Sequence, residues 1–357
     1  MSALPKTASR FAIPIVGSAL FLTLVAVPFF APRAVVQDLF GVLTLLVLAM
    51  NWNMLAGFAG LVSVGQQAFV GIGAYAMFAA IIVFDLDPLV GIVIGGLVAM
   101  VLSVPMAFFA FRLNGAYFAI GTWVVADITR LAVGQIKALG GGTGTSLPKG
   151  TAKEMAGVDQ IRALLDISSA AAADALVYWI ALALAVVLLV ASYLFLRSRM
   201  GLGLQAVRDN FTAARSVGVD PLRLKSAVFL LCAFGTGLCG GLMFLQITRI
   251  TPDAAFSVID WTAFVIFIVV IGGIGTLPGP IVGVVIFYIL QRVFADYGTV
   301  YLILLGLIGM GIMLFARRGL WGTFADRFGV ELFPLRHRAP PRTATSTPVM
   351  PSIPASH

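Results

Sequence analysis

N-W-N-M-L-A-G-F-A-G-L-V-S-V-G-Q-Q-A-F-V-G-I-G-A-Y, residues Asn51 to Tyr75, carries no charged side chain and holds glycines at 57, 60, 65, 71 and 73. About 20 apolar residues rising 1.5 Å each cross a hydrocarbon layer of roughly 30 Å, so the stretch is long enough to span a bilayer. Its glycines permit close helix contact or a break in the helix. Hydrocarbon tolerates a break only where protein or a water-filled cavity covers the freed backbone groups. Asn51, Asn53, Ser63, Gln66, Gln67 and Tyr75 then have two readings. They line a translocation path with uncharged hydrogen-bonding groups, or they only hold helices together.

The rest of the chain agrees with a membrane solvent. Of its 357 residues 60% are apolar and 11% charged, and the mean hydropathy is +1.04. A soluble domain carries roughly 25% charged residues, so a soluble protein is excluded. Apolar runs at 11–31, 35–56, 58–83, 88–111, 115–134, 174–196, 226–247, 260–276, 278–297 and 299–316 predict an all-α polytopic integral membrane protein. About 8 to 10 transmembrane helices are expected, with a glycine-rich helix near 57–75 that can break. The net charge of +8 lies between and after these runs. That placement points to an anionic lipid surface and not to nucleic acid.

Orientation follows from the cations. Residues 197–225 carry Arg197, Arg199, Arg208, Arg215, Arg223 and Lys225 against Asp209 and Asp220, which places this segment in the cytoplasm. Arg317 and Arg318 directly follow the last run, and span parity puts both termini inside. The first run, after Lys6 and Arg10, exceeds a signal-peptide core of about 7 to 15 residues and reads as a retained anchor. Residues 1–316 therefore form one transmembrane domain with 135–173 outside. Within 135–173, Gly140 to Gly144 allow an anion-binding nest or a flexible turn leading to an interfacial helix near 158–166. Residues 317–357 form a cytoplasmic tail, read as disordered because six prolines follow from Pro334 onward.

Absences narrow the chemistry. His337 and His357 both sit in the tail, so no span supplies a histidine proton relay or a histidine metal site. No phosphate-binding loop, H-E-x-x-H or G-x-S-x-G motif occurs, so neither enzyme, cofactor nor metal is expected. Asp127 with Arg130 and Arg292 with Asp296 read as self-neutralising pairs or, alternatively, as a coupling-ion site. Cys232 and Cys239 lie seven residues apart on one predicted helix, too far along its axis for a disulfide.

A second segment, G-L-Q-A-V-R-D-N-F-T-A-A-R-S-V-G-V-D-P-L-R-L-K from Gly203 to Lys225, predicts a short cytoplasmic helix. Ala213 and Ala214 would present a small-residue surface, with a turn at Gly218 and Pro221 beyond. Such a helix, bracketed by turns between two membrane helices, suits docking into a partner's groove.

Both segments resemble the permease subunits of branched-chain amino-acid ABC importers, the LivM-type members of the hydrophobic amino acid uptake family, from about Leu45 to Phe315. The first resembles that family's glycine-rich signature. The second resembles its Glu-Ala-Ala-x-x-x-Gly coupling loop, which gives Arg208, Asp209, Ala213, Ala214 and Gly218 a part in coupling to the ATPase. Gly272 to Gly283, G-G-I-G-T-L-P-G-P-I-V-G, resembles the family's late glycine-proline turn. The resemblance implies a transport subunit in a bacterial inner membrane, with a second permease as heterodimer partner, two cytoplasmic ATPase subunits and an extracytoplasmic substrate-binding protein. Substrates across the family include leucine, isoleucine and valine, urea and short amides, and aromatic carboxylates. Two positions depart from the pattern. Gln66 stands where members often have histidine, so no proton-dependent role carries over. Phe211 and Thr212 stand where an acidic residue is usual, leaving Asp209 as the group that could pair with the ATPase. The rival class is a stand-alone ion-coupled transporter or channel.

Overall fold

The computed structural model describes residues 8–294, 298, 300–316 and 318–328. Among them, eight helices are long and apolar enough to cross a membrane, and Gly17–Phe30 and Gly279–Phe294 are shorter apolar helices. Helix α1 (Ala8–Phe30) leads into α2 (Arg33–Asn53), which ends in a π-helical turn, Met54–Phe58. The chain is irregular over 59–65 before α3 (Gln66–Phe84), α4 (Pro88–Ala110) and α5 (Ala116–Val133). Strand β1 (Thr145–Ser146) and α6 (Val158–Leu165) occupy the long polar segment, ahead of α7 (Ser169–Arg197). Two short helices, α8 (Arg199–Asp209) and α9 (Phe211–Ser216), precede α10 (Pro221–Ile247). Strand β2 (Arg249–Ile250) pairs antiparallel with β1, Thr145 opposite Ile250. After it come α11 (Pro252–Ala255), a π-helical turn Ile259–Ala263, α12 (Phe264–Gly272), α13 (Gly279–Phe294), α14 (Val300–Phe315) and α15 (Gly319–Phe328).

Local chemistry explains where the helices begin. Asp87, Ser168, Ser198, Asn210, Asp220 and Thr251 each accept a hydrogen bond from a backbone N–H in the first turn of the helix that follows. Pro88, Pro221 and Pro252 stand at first helical positions, where a missing N–H costs nothing. Two residues beyond the end of α9 comes Gly218, whose φ of +84° is readily adopted only by glycine. There the Val219 N–H reaches back to the Ala214 carbonyl at 3.2 Å and closes the turn.

The core is a triad of helices, α3, α4 and α10, packed through glycine. Helix α10 is apolar on every side and 78% of its apolar window is enclosed by protein, as a helix with no polar face requires. A Cβ on Gly237 would stand 2.5 Å from the Ala99 Cβ, 3.0 Å from the Gly95 carbonyl oxygen and 3.1 Å from the Gly96 Cα. The Gly237 backbone in turn fills the space where a Cβ on Gly73 would lie. Ala233, Gly237 and Gly241 thus form the small-residue ridge that lets α4 approach α10 at backbone distance. Outside this triad, α2 packs on α7, and α12 packs on α13. The window in α14 and α15 is only 12% enclosed.

Two ends are distinct. At one, Asp87 accepts from the Ala156 N–H at 3.0 Å, and β1 joins β2, so the 85–87 turn, the 145–157 segment and 249–250 lie together. At the other, the 111–116 turn, the break at 59–65, α8 and the 273–277 turn converge.

Several expectations are sharpened. The break near 57–75 falls at 59–65, and α3 runs unbroken through Gly71 and Gly73. Two 3-10 turns, Lys137–Leu139 and Gly141–Thr143, deliver the chain to β1, the second lying within Gly140 to Gly144. Cys232 and Cys239 are free and buried. Asp127 does pair with Arg130, at 2.9 Å, and Arg130 also reaches Asp253 at 2.7 Å. Arg292 pairs with Asp38 of α2, and Asp296, its expected partner, lies outside the described residues. Within the expected disordered tail, Gly319–Phe328 is helical, and α15 packs on α12 and α13. Residues 329–357, with both histidines, lie outside the described residues.

Candidate functional site

At the end of α2 the backbone leaves α-helical geometry one turn before its break. The Ala59 N–H bonds the Met54 carbonyl at 3.1 Å and the Leu61 N–H bonds the Leu55 carbonyl at 2.8 Å, while Gly60 takes a φ of +69°. The chain then folds back along its own helix. Trp52 Nε1 donates to the Ser63 carbonyl at 2.8 Å, the Val64 N–H donates to Thr122 Oγ1 at 3.1 Å, and Ser63 Oγ accepts from the Gly65 N–H at 3.2 Å. Every freed group named here is covered by protein, which is the condition for irregular backbone at membrane depth.

All six polar residues singled out in Asn51 to Tyr75 are buried. Their roles divide. Asn53 is fully engaged: its Oδ1 accepts from the Gly275 N–H and its Nδ2 donates to the Thr276 carbonyl, both at 2.8 Å, so it ties α2 to the late glycine-proline turn. Gln67 accepts from Thr262 Oγ1 in the π-helical turn before α12. Gln66 Nε2 donates to the Leu48 carbonyl at 3.0 Å, which seats its amide beside α2 a turn from Asn51. Three buried polar atoms have no hydrogen-bond partner among the described residues: Asn51 Nδ2, Gln66 Oε1 and Tyr75 Oη. Each such group costs about 1 to 3 kcal/mol relative to its paired or solvated state. Asn51 lies against the Cα face of Gly235 on α10, and the Tyr75 ring is 6.2 Å from that of Phe256. The structure therefore brings Asn51 and Gln66 to the same region and sets Tyr75 apart, at the middle of α3.

The predicted coupling residues occupy α8 and α9 as follows. Arg208 points inward: its Nη1 donates to the Gly57 carbonyl at 2.8 Å, and its guanidinium pairs with Asp209 at 3.1 Å. Ala213 is exposed, whereas Ala214 is 3% exposed and packed within the chain's own fold. A cavity of about 810 Å³ separates this segment from the break and the 111–116 turn, lined by Leu61, Phe111, Phe118, Arg208, Phe211 and Lys225.

One cluster is absent from the sequence reading. Asp174, at the start of α7, is buried and accepts from Arg33, from Gln37 Nε2 at 3.0 Å and from Gln246 Nε2 at 3.1 Å. It joins α2, α7 and α10 at the end opposite α8. The i,i+4 pair Arg33 and Gln37 was a visible signal, but its partner lies 141 residues away from Arg33. Among the described residues no group of three or more His, Cys, Asp or Glu is placed to hold a metal ion.

Residues 35–316 match the family model described as "Branched-chain amino acid transport system / permease component". The chain is 28% identical over 314 residues to the high-affinity branched-chain amino acid transport system permease protein LivM of Escherichia coli K12, covering 85% of this chain and 73% of that one. It is 27% identical over 313 residues to the LivM protein of Salmonella typhimurium LT2, with the same coverage. No solved structure matches the chain significantly.

Proposed function

The chain belongs to the permease family of branched-chain amino-acid transport systems and is a multi-pass membrane permease subunit of an ABC importer; on that premise we propose how its parts divide the work. It forms the translocation path for leucine, isoleucine, valine or a related small amide or carboxylate in a bacterial inner membrane. Its partners are a second permease, two cytoplasmic ATPases and an extracytoplasmic binding protein. The break and the amides of Asn51 and Gln66 face the path, and α8 with α9 receives the ATPase. The observation that carries this division is a direct bond between the two regions, from Arg208 to the carbonyl of Gly57. Family membership does not favour a stand-alone ion-coupled transporter.

The test is co-purification followed by reconstitution. An ATPase should come down with this chain, and binding protein loaded with a branched-chain amino acid should stimulate both hydrolysis and uptake into liposomes. A chain that purifies without any ATPase sinks the reading. Topology is checked separately. Ser216 and Lys153 are both exposed, and the two native cysteines are buried. Ser216→Cys and Lys153→Cys should therefore label from opposite sides of the membrane; labelling from one side overturns the orientation.

The unpaired amides give a second prediction. If the packed arrangement is the closed path, Asn51→Leu keeps the branched shape, replaces a buried unpaired donor with a somewhat larger apolar group that still faces the Cβ-free side of Gly235, and stabilises that arrangement. A gain of about 1 kcal/mol shifts a closed-to-open equilibrium about fivefold. Thermal stability in detergent should rise while uptake falls. Lowered stability, or unchanged uptake, would show that Asn51 is only structural.

A further inference from the structure

The segment α8 is bonded to the break through one side chain, and that side chain turns toward the end of α2. Resting on the importer reading above, we propose that Arg208 is a positioning residue that clips α8 to the broken end of α2, so that displacement of α8 and α9 opens the path by uncovering the Gly57 carbonyl.

The geometry is specific. A π-helical turn that ends at Phe58, with Gly60 at positive φ just beyond, leaves carbonyls with no helical donor ahead of them. For Gly57 the donor is Arg208 Nη1, at 2.8 Å. The Arg208 side chain crosses directly over the break, its Cγ 3.3 Å from where a Cβ on Gly60 would stand. Its guanidinium is held on its other side by Asp209, which fixes the fork before any motion. Below the guanidinium the packing leaves no slack. A Cβ on Gly57 would lie 2.5 Å from both Asn53 Oδ1 and the Gly275 N–H nitrogen. Asn53 in turn holds the 273–277 turn by both ends of its amide. One guanidinium thus closes a node made of three segments distant in sequence: α8, the end of α2, and the turn joining α12 to α13.

The lever behind the clip is rigid. Ser198 caps the start of α8, and Leu204 and Val207 are buried beneath it, so α8 moves as a body. Hydrogen bonds weaken steeply once stretched beyond about 3.5 Å, so a shift of roughly an ångström suffices to release Gly57. An exposed cation meant for a partner's carboxylate would need none of this inward geometry. The two discrete arrangements, clipped and released, are what an energetic link between distant sites requires.

The test uses the complete transporter, with its ATPases and binding protein, carrying Arg208→Met. ATPase co-purification should match the wild type, because the guanidinium is engaged by the Gly57 carbonyl and Asp209 of its own chain. ATP hydrolysed per substrate imported should rise at least about tenfold, with hydrolysis becoming independent of loaded binding protein. Arg208→Lys keeps a charge and a donor for Gly57 but lacks the fork that also grips Asp209, and should recover part of the coupling. If Arg208→Met does not assemble, Arg208→Lys carries the same readout against wild type. An unchanged ATP-to-substrate ratio overturns the proposal. So does loss of ATPase from the purified complex with normal coupling in what remains, because Arg208 would then be a contact to the partner. Failure of the importer reading itself shows earlier, in a wild-type chain that brings down no ATPase.

Discussion

Gly237→Leu leaves essentially no folded protein to purify, while Leu238→Ile gives a yield and a thermal midpoint close to wild type. At Gly237 the first added carbon already stands 2.5 Å from the Ala99 Cβ and about 3 Å from the backbone of α4 at Gly95 and Gly96. Backbone atoms of packed helices cannot rotate away as a side chain can. The Gly237 backbone also occupies the Cβ space of Gly73 on α3, so moving α10 away from α4 drives it into α3. Overpacking a filled core typically costs 1 to 3 kcal/mol for modest insertions, and a leucine adds three more carbons beyond the one that clashes. A loss above about 3 kcal/mol is a large share of a marginal total. Leu238→Ile conserves volume and leaves the ridge untouched, and such swaps usually cost less than about 1.5 kcal/mol. The measurement is the monodisperse fraction in detergent and its thermal midpoint. Equal recovery of both variants would remove the ridge from the account of how α3, α4 and α10 assemble.

The contrast between Gly237 and Asp174 shows what a sequence discloses here. Spacing of four residues places Ala233, Gly237 and Gly241 on one face of a helix, and a face of small residues in a membrane helix must be covered closely. The need for a neighbour was therefore legible, though not that the neighbour is α4. A cap, too, acts on the residues immediately after it, as Asp87, Ser198 and Asp220 do in the structure. Long-range polar bonds follow no such local rule. Nothing in the order of residues tells Asn53 that it will hold Thr276, or Arg33 that it will find Asp174. The direction of Arg208 was hidden likewise. A cation in a cytoplasmic segment reads as facing solvent or a partner, and only the carbonyl left free by the π-helical turn explains why it turns inward. Of the candidate path residues, the sequence identified which carry polar groups; which of those groups remain unpaired depends on helices that meet only in the fold.

Ala213→Trp stops uptake, and ATPase no longer co-purifies at wild-type levels, while the permease itself still folds. Ala214→Trp fails differently, through the permease's own packing. The two alanines are neighbours in a motif whose likeness to a coupling loop suggests one shared surface. In the structure their surroundings differ: Ala213 is exposed on α9, and Ala214 is packed inside the chain. Helix α9 is only six residues long, so it cannot hold its place by helix propensity and depends on what it buries. Ala214 is the buried residue of that helix, and its carbonyl also receives the Val219 N–H that closes the Gly218 turn. An indole there has to displace the turn and the helix together, at a cost of at least 1 to 3 kcal/mol of local packing. At Ala213, which is exposed, the same indole can project into solvent. Any loss of function must therefore come from the surface it adds to a partner's groove. Thermal stability of the isolated permease separates the cases: unchanged for Ala213→Trp, lowered for Ala214→Trp. Normal uptake with full ATPase retention in Ala213→Trp would show that the exposed face of α9 is not the docking face. Coupling would then have to enter the permease elsewhere on the 197–225 segment.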